Sequence, residues 1–66
     1  MALINLKKEM AGADITVEAL AAELRVHRNT VANKIDGSSK FTVEEAFKIQ
    51  ERFFPNLGLA YLFKEQ

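Results

Sequence analysis

The chain has 66 residues, 48% of them hydrophobic, and nine Lys and Arg balance nine Asp and Glu. That length holds one domain at most, burying only about 60% of its unfolded surface. Neutrality argues against a nonspecific polyanion binder, which carries a basic excess. With no cysteine, neither a disulfide nor a thiolate metal site can stabilise it. One proline and three glycines favour helices over a turn-rich sheet. No run approaches the roughly 18 apolar residues of a membrane span, and "MALINLKKEM" lacks the apolar stretch of a signal peptide. A cytoplasmic protein is therefore expected.

Leu3, Leu6 and Met10 recur at helical spacing and predict a first helix from about Ala2 to Ala11, with its exit at Gly12 to Asp14. Thr16 offers an N-cap hydroxyl. Val17, Leu20, Ala21 and Leu24 then form one stripe of a short second helix. Val31 and Ile35 anchor a third helix, about Arg28 to Asp36, which Gly37 closes. Between the second and third lie only Arg25, Val26 and His27, with Val26 expected to plug the corner. Thr42 and Glu45 have the spacing of a capping box. They open a fourth helix carrying Val43, Ala46, Phe47, Ile49 and Phe53, and Pro55 cannot continue it. Asn56 is the expected cap of a short fifth helix with Leu59, Leu62 and Phe63. The expected class is all-α: five short helices around one core, a single domain over residues 1–66.

The second and third helices have the helix-turn-helix arrangement, over about residues 17–36. Here "TVEALAAELRVHRNTVANKIDG", followed by "SSKFTVEEAFKI", resembles the Cro/CI-type phage-repressor family with its lambda-repressor-like five-helix domain. The resemblance implies a sequence-specific DNA-binding transcriptional regulator, a repressor of phage or prophage type. It also implies a homodimer on double-stranded DNA with a palindromic operator. The third helix would lie in the major groove, with Arg28, Asn29, Ala32 and Asn33 reading bases. At 100° per residue, Asn29 and Asn33 fall opposite Val31 and Ile35. Asparagine can bond adenine through two atoms and arginine can bond guanine likewise, while Ala32 is small enough to touch a thymine methyl.

Phosphate contacts are expected from Thr16 with the main-chain amides of Val17 and Glu18, from His27 and Thr30, and from Ser38, Ser39 and Lys40 in the loop after the third helix. Between Arg25 and Lys40 stand four cations against Asp36 alone, so this end should be positive. Three positions depart from the family pattern. Arg25 replaces a glycine that tends to need positive φ. His27 replaces a capping serine or threonine, and its imidazole should favour a phosphate more below pH about 6.5. Lys34 stands where an apolar residue is usual, with Ile35 one later.

"FFPNLGLAYLF" holds more apolar groups than a short helix can bury on one face. It either completes the core or gives a homodimer contact through Phe54, Leu57, Leu59 and Tyr61. A single histidine, with no cysteine and no glycine-rich phosphate loop, leaves no nucleophile and base pair. No enzyme, cofactor, metal site or small-molecule ligand is expected. With 66 residues no separate ligand-binding or oligomerisation domain is expected, which suits a short Cro-type repressor or an N-terminal fragment of a longer one. The alternative is a protein-interaction adaptor that keeps the helix-turn-helix fold without binding DNA.

Overall fold

Alternating short apolar stripes and local caps divide the chain into helices, and the computed structural model describes all of it, Met1 to Gln66. The five helices are α1 (Ile4–Gly12), α2 (Val17–Leu24), α3 (Arg28–Asp36), α4 (Val43–Phe53) and α5 (Leu59–Leu62), with no strand. Each gives one side chain to the centre: Leu6, Leu20, Val31, Ile49 and Leu62 are the largest fully buried groups. Around them sit Leu3, Met10, Ala21, Ile35 and Phe54, and no polar residue is buried. α2 packs on α3 and α4, while α5 packs on α1 and α4.

Local chemistry sets most of the helix ends. The Thr16 hydroxyl accepts from the Ala19 amide at 3.1 Å. Thr42 and Glu45 complete the reciprocal capping box at 3.1 and 2.9 Å. The first three helices end alike, each on a left-handed residue: Asp14 (φ 57°), Arg25 (φ 58°) and Gly37 (φ 96°). At each end an amide reaches back five residues: Ile15 to Met10 O, Val26 to Ala21 O and Ser38 to Asn33 O, at 2.9, 3.1 and 2.9 Å. These hydrogen bonds satisfy carbonyls that a helix end leaves free.

Arg25 thus takes the backbone conformation expected of the glycine it replaces, at a cost of roughly 1–2 kcal/mol for a residue bearing Cβ. Arg25→Gly is expected to raise stability by about 0.5–1 kcal/mol, partly offset by glycine's greater freedom when unfolded. A higher urea midpoint with an unchanged slope is the observation to seek.

Several expectations need correction. α1 begins at Ile4, not Ala2, because the Leu3 backbone is non-helical (φ −91°, ψ 77°), in a position where its amide donates to the Ile35 carbonyl at 2.9 Å. Val26 is 36% exposed and does not plug the corner. Buried Leu20, Ala21 and Val31, with half-buried Leu24, hold it instead. Asn56 does not cap α5. Gly58 stands there, because the Leu57 amide closes a turn onto Phe54 O and delays the helix start. Val43 and Phe47 lie on α4 but face outward, 71% and 48% exposed.

Lys34 occupies its unusual place with an anchored head. Its ammonium donates to both Glu45 carboxylate oxygens at 2.8 and 2.9 Å, and it lies 5.8 Å from the centre of the Phe41 ring. The stem covers the core edge beside Phe41, which meets Phe63 edge-on at 5.5 Å. Ile35 remains buried, so the late apolar residue and the lysine share the work of closing α3.

For Glu45, burial pushes the carboxyl up, but the Lys34 ammonium and the Thr42 amide outweigh it. The group lies below its ordinary 4.5. A carboxyl depressed on folding stabilises above its unfolded value and loses that contribution as pH falls through the folded one. Stability should therefore drop below pH 4.5, and Glu45→Gln should flatten that drop while lowering stability at pH 7 by about 1 kcal/mol. Thermal melts from pH 7 to pH 3 check both.

Candidate nucleic-acid interface

α3 is amphipathic at a small scale. Val31 and Ile35 are buried, while Arg28, Asn29, Asn33 and Asp36 are exposed and Ala32 is half-buried. Asn29 and Asn33 are one turn apart on the outer face, and Asp36 follows on the same strip at 100° per residue. Neither asparagine side-chain amide has a partner in the chain; their main-chain groups are engaged, the Asn29 amide by the cap and the Asn33 carbonyl by the loop that follows. Two free amides on a convex helix face offer donors and acceptors outward, with Ala32 as a small apolar spot beside them. The first turns of α2 and α3 meet in a shallow groove lined by Val17, Glu18, Arg28, Asn29 and Ala32.

Arg28 is not free. Its Nη1 donates to Glu18 Oε2 at 2.9 Å, with both side chains exposed. Glu18's own main-chain amide and the Arg28 guanidinium hold that carboxyl below its ordinary range, against a small opposing effect of burial. Lys40 is likewise held, by Glu65, whose carboxyl that contact lowers. With Lys34 on Glu45, three of the four cations expected to make this end positive are paired. Arg25 is the unpaired cation, and Asp36 opposes it. The expected positive end is locally neutral.

The groups assigned to phosphate divide in the same way. The Val17 amide has no acceptor in the chain, and Thr16, although its oxygen accepts from Ala19, lies at the surface edge of α2. The Glu18 amide likewise has no acceptor elsewhere in the chain. The loop amides are consumed, since those of Gly37, Ser38 and Ser39 all converge on the Asn33 carbonyl at 3.1, 2.9 and 3.4 Å. The hydroxyls of Ser38 and Ser39 remain exposed there, as does Lys40. Thr30 is half-buried.

His27 does cap α3: its Nδ1 accepts from the Asn29 amide at 3.1 Å. A neutral imidazole accepting at Nδ1 carries its proton on Nε2, leaving an outward donor. The ring is thus committed through Nδ1 to the start of α3, and only Nε2 is left for a phosphate.

The C-terminal apolar group is also sorted. Phe54, at 6% exposure, belongs to the core and is withdrawn from any interface. Leu57 and Leu59 are half-buried, and the Leu57 carbonyl accepts from Gln50 Nε2 at 3.0 Å. Tyr61 is 38% exposed, with its hydroxyl donating to Glu9 at 2.7 Å, a contact that raises the phenol's pKa. The contributions of Glu18 and Glu65 went unseen from sequence. Glu65 is 25 residues from Lys40 and carries no local signal. Glu18 is ten residues from Arg28, and the helix-turn-helix spacing itself could have brought their first turns together. No protein-family model matches the chain, and no curated protein or solved structure matches it either.

Proposed function

We propose that this chain is a sequence-specific DNA-binding transcriptional regulator of the phage-repressor type, placing α3 in the major groove. One observation carries the reading: the side chains of Asn29 and Asn33 stand exposed one turn apart on the outer face of α3, with no side-chain hydrogen bond to occupy them. Arg28 at the helix tip and Ala32 between them complete a surface suited to base edges. The ion pairs on this face are no barrier. Exposed pairs contribute little to stability, so a phosphate can exchange for Glu65 at Lys40. A neutral protein making few phosphate contacts should show a shallow salt slope. In this reading the chain works in the cytoplasm without catalysis. It pairs as a homodimer through Leu57, Leu59 and Tyr61 and sets two α3 helices about 34 Å apart on a palindromic operator.

A second reading is favoured by the exposed Val43 and Phe47, one turn apart on α4. They suit an adaptor that holds another protein and leaves DNA alone. Selection from random duplexes, followed by titration of the enriched sequence at two salt concentrations, separates the two. An enriched palindrome with salt-sensitive binding supports the regulator. Indifference to every duplex at low salt would leave only the adaptor.

A further inference from the structure

Arg28 stands at the first position of α3, where the helix dipole opposes a cation. Glu18 stands in the first turn of α2, where the dipole favours an anion. The contact between them ties the two helix starts together beside Asn29 and Ala32. An exposed pair of this kind adds little to stability. Its effect falls instead on where the guanidinium points. Glu18 occupies Nη1, which leaves the Nε and Nη2 edge of the planar fork open, the edge that can meet guanine O6 and N7 side-on.

We infer that Glu18 is a specificity-determining positioning residue: it holds Arg28 out of phosphate contacts and presents the free edge of its guanidinium to one guanine. The inference rests on the DNA-binding reading. Glu18 does two things at once. It adds a negative charge on the phosphate-facing side, which suppresses binding to arbitrary sequence. It also limits a flexible arginine to one direction, so the contact is made where a guanine lies in reach and lost elsewhere.

The test uses the full chain and the duplex enriched by selection, together with versions replaced at each G·C pair and one unrelated duplex. Wild type, Glu18→Gln, Glu18→Asp, Arg28→Ala and the Glu18→Gln, Arg28→Ala double variant are titrated at two salt concentrations. Glu18→Gln is expected to lose about tenfold of the discrimination at one G·C pair. Its affinity for the unrelated duplex should rise, with a salt slope steeper by about one. Glu18→Asp keeps the charge on a shorter arm, so it should lose discrimination while unrelated DNA stays weakly bound. In the Arg28→Ala background Glu18→Gln should no longer change discrimination. A merely structural role would not produce that dependence on Arg28, and circular dichroism melts should agree within a few degrees. Unaltered discrimination in Glu18→Gln, or an equal loss without Arg28, overturns the inference while DNA binding stands. If wild type prefers no duplex, the DNA-binding reading fails and the inference with it.

Discussion

Gly37→Ala should lower the melting temperature by roughly 10–20 °C, an effect of about 2–4 kcal/mol for a domain of this size. Two costs combine. Gly37 has φ 96°, a region that side chains rarely enter, and a Cβ there would lie 2.2 Å from the Met1 carbonyl oxygen and 2.6 Å from its nitrogen. The neighbour is main chain, so no rotamer change relieves the overlap. The N-terminal segment that would have to move is tied just after Met1, by Leu3 to Ile35 O and by the Gln66 amide to Ala2 O. Gly12→Ala is the control. It adds a methyl where nothing lies within 4 Å, in a helical residue. It should be neutral or stabilising by up to about 1 kcal/mol. Matching losses from the two substitutions would show that the close approach of Met1 to Gly37 is unimportant.

That close approach also marks the limit of what is legible in the sequence. The start of α2, the end of α3 and the start of α4 are readable because each is set by neighbours in the chain: Thr16, Gly37, and Thr42 with Glu45. The start of α1 depends on a hydrogen bond between Leu3 and Ile35, far apart in the chain, which leaves no local trace. The start of α5 depends on a turn whose amide choice favours Gly58 over the better-capping Asn56. Apolar type alone does not reveal that Val43 and Phe47 face outward, and it leaves Phe54 open to the surface. The capped register of α4 turns the first two outward, and the non-helical backbone at Phe54 (φ −137°, ψ 57°) ends the helix where that ring is buried. For the candidate site, the outward face of α3 follows from periodicity. The ion pairs that neutralise it do not, because Glu18, Glu45 and Glu65 arrive from α2, α4 and the C-terminal segment.

In the DNA-binding reading, Asn29→Ala and Asn33→Ala should each relax preference at one base pair by about 1–3 kcal/mol, and together they should remove most sequence selectivity. Both side chains are exposed and unbonded, so stability should change by no more than about 0.5 kcal/mol. Their salt slopes should match wild type, since neither carries charge. Charge variants should behave in the opposite way. Lys40→Ala should weaken all duplexes alike and reduce the slope by about one. Glu65→Gln, which releases Lys40, should strengthen all duplexes alike. Asp36→Asn should do the same, by removing the one unpaired anion on the outer strip of α3. The crossed design matters because loss of binding alone can come from disturbed folding, whereas a split between selectivity and salt slope cannot. Competition titrations against single-base replacements, repeated at two salt concentrations, read both quantities from one set of duplexes. If the asparagine variants keep full selectivity while Asp36→Asn alters it, α3 meets DNA by some other face, and Asn29 and Asn33 are not its base readers.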